Sequence, residues 1–226
     1  MAGRVIAITG AFGVLGSAVA SAAAEQGHRV ALIDFAAGGP TPAGALALGG
    51  VDLTDAVQAG AAVDRVADYF GGLDALLNIA GGFSWSTLET SMAEGWHRLF
   101  LINVQTAANA SRAAIPHLRR SAAGRIVTVG ANAARRAAMG MGPYAASKAG
   151  VHSLTEALAE ELKTDGITVN AVLPSILDTP TNRAEMPDAD VSAWVAPADL
   201  AAVMLFLASD AAGAVTGALL PVTGRV

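Results

Sequence analysis

The 226-residue sequence has no cysteine, which excludes a disulfide framework, a thiolate zinc site, an iron–sulfur cluster and a cysteine nucleophile. A reducing cytoplasm is the expected compartment. Charge is scarce too: 15% of residues are charged, 14 basic and 19 acidic, for a net charge of -5, and no basic run exceeds a pair. Such a chain carries no electrostatic footprint for DNA, RNA or an anionic membrane, so neither nucleic acid nor a membrane is expected as a partner. Outside the N-terminal run Val5 to Ala24, the long uncharged stretches Phe35 to Val51 and Ala211 to Gly224 contain several Gly and Pro and cannot form a spanning helix. The four His, at 28, 97, 117 and 152, lack metal-ligand spacing, and no metal is expected. So thin a polar surface implies that other subunits cover part of it.

What is present is apolar residues, 53% of the chain, arranged in short β-type runs that alternate with longer Ala-rich stretches. The runs are Arg4 to Thr9, Arg29 to Asp34, Ala45 to Val51, Leu73 to Asn78, Arg125 to Gly130, Ile167 to Leu173 and Ala218 to Val222. Most are apolar on successive residues, as strands buried on both faces must be. Helices are expected over Val14 to Gln26, Thr54 to Phe70, about Ala93 to Ser121, Pro143 to Lys163 and Pro197 to Ala208. Pro143 and Pro197 suit a first helical turn, and Thr54, Asp55 and Asp199 suit positions near helix N-termini. With no repeat and no polar linker, residues 1–226 read as a single α/β domain, a doubly wound parallel sheet of seven strands. Arg4, the apolar stretch after it and Ala20-Ser21-Ala22 have the look of a secretory leader. Gly10, Gly13 and Gly16 interrupt that stretch at fixed spacing, and a second strand follows without a break, so a strand–turn–helix unit is the better reading.

The first strand runs into Thr9-Gly10-Ala11-Phe12-Gly13-Val14-Leu15-Gly16 and then a helix. Glycines there let the backbone turn sharply and approach a pyrophosphate, whose charge rests on free N–H groups at the helix start. This is the Rossmann arrangement. Asp34 ends the second strand, where a carboxylate meets adenosine ribose hydroxyls and repels a 2'-phosphate. No Lys or Arg follows it at once, so NAD(H) is favoured over NADP(H). Tyr144 and Lys148 stand four apart on a helix, hence on one face, and an ammonium near a phenol is expected to bring its pKa toward a working range.

Together these residues resemble a short-chain dehydrogenase/reductase over essentially the whole chain. Asp52-Leu53 resembles the family's adenine contact, and Asn78-Ile79-Ala80-Gly81 its strand-end Asn-x-Ala-Gly motif. Asn103 resembles the helix-kink residue whose backbone holds a water in the proton relay to the Lys. Pro174-Ser175-Ile176-Leu177-Asp178-Thr179 resembles the segment that holds the nicotinamide carboxamide. The resemblance implies hydride transfer between nicotinamide and a C=O or C=N group. Tyr144 would pass the proton, Lys148 would bind the nicotinamide ribose, and Gly10, Phe12, Gly13, Val14, Leu15, Gly16, Asn78, Ala80, Gly81, Pro174, Ile176, Leu177 and Thr179 would help to hold the cofactor. It also implies a homodimer or homotetramer, for which the Ala-rich long helices allow close packing.

The pattern departs from the common family form in two places. Val14 stands where a glycine is usual, and the position of the catalytic Ser, thirteen before Tyr144, is Ala131. Either Asn132 substitutes, or the substrate does not need that hydrogen bond. The glycine turn, Asp34, Ala80-Gly81-Gly82, Ala131 and the loop from Ala171 to Trp194 resemble the dihydropteridine reductases, which implies a quinonoid dihydropterin or a related conjugated ring. A general ketone or 3-oxoacyl thioester reductase is the alternative within the family, and a dinucleotide-binding regulator without catalysis the alternative outside it. A substrate wall is expected from Phe83, Trp85, Met139, Met141 and Trp194, beside Ala131 and Asn132, under a short lid at residues 181–196.

Overall fold

Each apolar run supplies one strand: β1 (Val5–Thr9), β2 (Arg29–Ile33), β3 (Leu46–Leu48), β4 (Ala75–Asn78), β5 (Arg125–Val129), β6 (Thr168–Pro174) and β7 (Leu219–Val222). In the computed structural model, which describes residues 3–226, they form one sheet in the order β3-β2-β1-β4-β5-β6-β7. Every neighbouring pair is parallel. The unbroken apolar sequence of the inner strands follows from burial on both faces. Ile6, Ile8, Leu32, Leu77, Val127 and Val172 pack on one face with Val19, Met204 and Leu205. Val5, Ala7, Ile33, Leu76, Ile126 and Val169 pack on the other with Val63, Ala114 and Leu158.

The helices are α1 (Val14–Glu25), α2 (Ala56–Phe70), α3 (Ala93–Phe100), α4 (Thr106–Leu118), α5 (Gly142–Leu162), α6 (Pro180–Glu185) and α7 (Pro197–Leu207). Pro143 and Pro197 lie in first turns, where no N–H is needed. Three differences from the sequence reading have a local cause. α2 begins after Asp55, whose carboxylate accepts the Val57 and Gln58 N–H groups at 2.7 and 3.3 Å, while Thr54 turns back to Asp52. β3 is shorter than Ala45 to Val51 because Gly50, at φ +73°, bends the chain so that the Val51 N–H meets the Asp34 carbonyl. The expected helix over Ala93 to Ser121 is split by a π turn, Leu101–Gln105, which buries Asn103. An inserted turn of this kind is the usual mark of a functional constraint on a helix.

Candidate active site

β1 and β4 are neighbours, but the chain leaves them toward opposite sides of the sheet, so a crevice opens above their carboxyl ends. Thr9 at the end of β1 fixes this junction: its hydroxyl oxygen accepts the N–H groups of Ile79 and Ala80 at 3.0 and 3.1 Å. The crevice holds a cleft of about 920 Å³. Its floor needs glycine at two points. Gly10 has φ +63° and packs on Ala80, and a Cβ on Gly16 would lie 2.1 Å from the Gly10 carbonyl oxygen. Val14, the departure from the usual glycine pattern, lies at the cleft at the first helical position and is half exposed. The N–H groups of Val14, Leu15 and Gly16 have no acceptor within α1 and carry the positive end of its dipole.

Asp34 lies across the turn. One carboxylate oxygen accepts the Phe12 N–H at 2.8 Å and the other the Ala36 N–H at 2.9 Å, which fixes the acid at the cleft edge. Asp52, Leu53 and Thr106 form the wall opposite, where Asn109 holds the Leu53 and Thr54 carbonyls at 3.0 Å each. A glycine floor that a methyl would fill, free N–H groups at a helix start and an acid one strand away are what a dinucleotide requires. The residues present fit that group.

The other end of the cleft is bounded by Gly81, Gly82, Val129, Leu177 and Thr179. Lys148 is buried there; its ammonium donates to the Val129 carbonyl at 2.7 Å, and a Cβ on Gly81 would lie 3.5 Å from Nζ. Burial lowers its pKa to about 8. The Tyr144 ring meets the edge of Phe83 at 4.9 Å between centroids, and burial pushes the phenol up to about 12. This corrects the expectation that Lys148 lowers the phenol's pKa toward a working range: loss of water around the phenolate dominates, so the shift is upward. Asn103 turns inward from the π turn. Its amide donates to the Gly82 carbonyl and to Ser147 Oγ, both at 3.0 Å, and its oxygen accepts the Gly82 N–H at 2.9 Å.

Of the remaining residues expected at the cofactor, Leu177 and Thr179 lie at the cleft. The Thr179 oxygen also caps α6 through the Asn182 N–H at 3.1 Å. Pro174 closes β6, and the Ile176 carbonyl accepts the Val195 N–H at 2.9 Å, so these two support the wall from behind. Asn78 is buried at the end of β4, its amide on Ser111 and its Oδ1 without a partner among the described residues. It supports the sheet end, and Ala80 and Gly81 face the cleft. Ala131 is buried, and its N–H points to His152 Nε2 at 3.4 Å; Asn132 begins a short 3₁₀ turn. Trp85 covers Gly140 and donates to the Met139 carbonyl at 3.1 Å, which joins the two loops expected to wall the substrate site. Met139 itself is 79% exposed and Trp194 only 8%. Met141 caps the start of α5.

Sequence reasoning missed Arg98 and Phe35, which also line the cleft, and Ser147 beneath Tyr144. Arg98 is the one cation among the described residues that line the cleft. No spacing in the sequence marks it, because the fold alone brings α3 to the cleft.

The profile of the family described as short chain dehydrogenase matches residues 4–190. The chain is 36% identical to cis-4-hydroxycyclohexanecarboxylate dehydrogenase of Sinomonas cyclohexanicum over 98% of its own length and 95% of that enzyme's. It is 30% identical to a 3-oxoacyl-acyl-carrier-protein reductase of Vibrio cholerae, covering 98% and 96% of the two chains. Carveol dehydrogenase from Mycobacterium avium, solved in complex with NAD, superposes with a TM-score of 0.87 at 29% identity, covering 99% of this chain and 97% of that one. The match thus runs through the glycine turn, the Tyr144 helix and the sheet that carries both, and the chain belongs to the short-chain dehydrogenase family of nicotinamide-dependent oxidoreductases.

Proposed function

We propose that this enzyme uses NAD(H) to interconvert a small ring-bearing secondary alcohol and its ketone. The observation that carries this reading is the pair Tyr144 and Lys148 on one face of α5 beside the end of a dinucleotide-shaped cleft, the phenol ring against Phe83 and the buried ammonium on the Val129 carbonyl of the cleft wall. When bound, the nicotinamide supplies or accepts the hydride. Tyr144 Oη gives a proton to the carbonyl oxygen in reduction and takes it back in oxidation. Lys148, one helical turn on, orients the nicotinamide ribose and returns the proton toward solvent; Asn103 holds the π turn beside it. Asp34 favours NAD(H), since its fixed carboxylate pairs with ribose hydroxyls and repels a 2'-phosphate. Phe83, Trp85, Met139 and Met141 offer flat, soft surface to a ring. A ring substrate agrees with the names of the cyclohexane-carboxylate and carveol dehydrogenases above. Residues 181–196, with α6, form a short lid, and the working unit is a homodimer or homotetramer packed through α4 and α5.

One observation favours a second reading. Ala131 offers no hydroxyl to a carbonyl oxygen, and a conjugated C=N ring such as a quinonoid dihydropterin would not need one. The deciding experiment is NADH consumption by purified protein with a cyclic ketone, an aromatic ketone, a 3-oxoacyl thioester and quinonoid dihydropterin. Turnover led by the cyclic ketone supports the first reading, and turnover led by the pterin replaces it with the second. Equal or better use of NADPH overturns the cofactor assignment.

A further inference from the structure

Two of the contacts of Tyr144 lead back to Asn103. The first runs through the backbone: Asn103 clamps Gly82 by accepting its N–H at 2.9 Å and donating to its carbonyl at 3.0 Å, and the next residue, Phe83, sets its ring edge against the Tyr144 ring at 4.9 Å. The second runs through Ser147, which is buried under the first turn of α5. Its Oγ accepts the second Asn103 amide hydrogen at 3.0 Å and donates its own proton to the Tyr144 carbonyl at 2.8 Å. A serine bonding back to the carbonyl three residues earlier is common in helices and by itself orients nothing. Here the hydroxyl also has a donor, and that donor belongs to a different element. With both its hydrogen bonds fixed, Ser147 has one rotor position and links the π turn to the carbonyl of the proposed proton donor.

The link matters more in this chain than its size suggests, because residue 131 carries no hydroxyl to steady the substrate oxygen beside the Tyr144 phenol. A proton donor acts only within hydrogen-bond reach of its target, and small displacements cost rate steeply. We infer that Ser147 is a positioning residue, transmitting the placement of Asn103 to Tyr144. The inference rests on the oxidoreductase reading above and adds to it a residue that touches neither cofactor nor substrate.

The test uses the full chain with whichever ketone the substrate panel identifies. Ser147→Ala is expected to lower kcat about tenfold while KM and NADH affinity, read by quenching of protein fluorescence, stay within about twofold. In an Asn103→Ala background the same change is expected to cost nothing further, since the link is already cut. A readout independent of turnover comes from the two tyrosines, Tyr144 and the exposed Tyr69. In ring-labelled protein the Tyr144 NMR signal moves or broadens in Ser147→Ala, and the Tyr69 signal does not. Full kcat in Ser147→Ala, additive losses with Asn103→Ala, or an unmoved Tyr144 signal overturns the inference. If Ser147→Ala does not fold, the near-isosteric Ser147→Cys, a weaker donor, carries the same comparison. A wild-type protein that turns over no substrate fails the oxidoreductase reading instead, and the labelled-tyrosine comparison then still decides whether Ser147 holds Tyr144.

Discussion

Tyr144 and Lys148 are both driven toward their neutral forms by the same burial, and this shapes what substitutions there do. Tyr144→Phe removes the proton donor and leaves the cleft intact, so kcat is expected to fall about a thousandfold with NADH binding unchanged, checked by steady-state kinetics beside fluorescence titration. Lys148 has a pKa lowered to about 8 against an unfolded value of 10.5. Between those values the unfolded chain binds a proton that the folded chain does not, so this group's contribution to stability rises with pH across that window; below pH 8 its buried charge costs stability. Lys148→Met should therefore be more stable than wild type at pH 7, with the difference shrinking by pH 9.5 in urea unfolding curves. A constant difference would show that Lys148 is not desolvated. Asp34→Ala is expected to reduce the preference for NADH over NADPH, measured as a ratio of kcat/KM values, since it removes the charge that rejects the 2'-phosphate. Ala131→Ser puts a hydroxyl at the position of the family's catalytic Ser, thirteen residues before Tyr144. It should raise ketone reduction if the substrate is a ketone and leave a C=N substrate unaffected, which the same assay reads.

At the scale of the element, the turn after β1 and the π turn do the positioning. Gly16→Ala places a methyl 2.1 Å from the Gly10 carbonyl oxygen, which is backbone and cannot yield cheaply. Loss of both NADH affinity and thermal stability is the expected result, whereas Gly13→Ala, whose Cβ meets no protein atom closer than 3.4 Å, should keep the thermal stability. The glycine turn was legible because the constraint is local and only glycine meets it. The π turn was legible only as the position of Asn103; its side chain bonds Gly82 and Ser147, which the fold brings together from the loop after β4 and from α5. For the same reason the sequence reading ran one helix through Ala93 to Ser121.

For the whole molecule, parallel strands buried on both faces need helices on each side, α1 and α7 on one and α2, α4 and α5 on the other, and the order β3-β2-β1-β4 creates the crevice in which the cofactor-facing elements meet. α3 exposes Met92, Trp96 and Phe100, and a thin polar surface elsewhere argues for subunit contacts. Sedimentation of the purified protein is expected to give a dimer or tetramer of the 22.6 kDa chain, and a monomer at micromolar concentration would remove that proposal.

The sequence by itself determined the fold class, the seven strands, the glycine turn, Asp34 and the pair Tyr144 and Lys148. Each of these is written in a period, a helix spacing or a residue type that local physics demands. Only the tertiary structure decided the direction of the Tyr144 shift, the presence of Arg98 and Phe35 at the cleft, and the hydrogen bonds from Asn103 to Gly82 and Ser147. Desolvation and contact depend on which elements pack around a side chain, and that is fixed by residues far away in the chain.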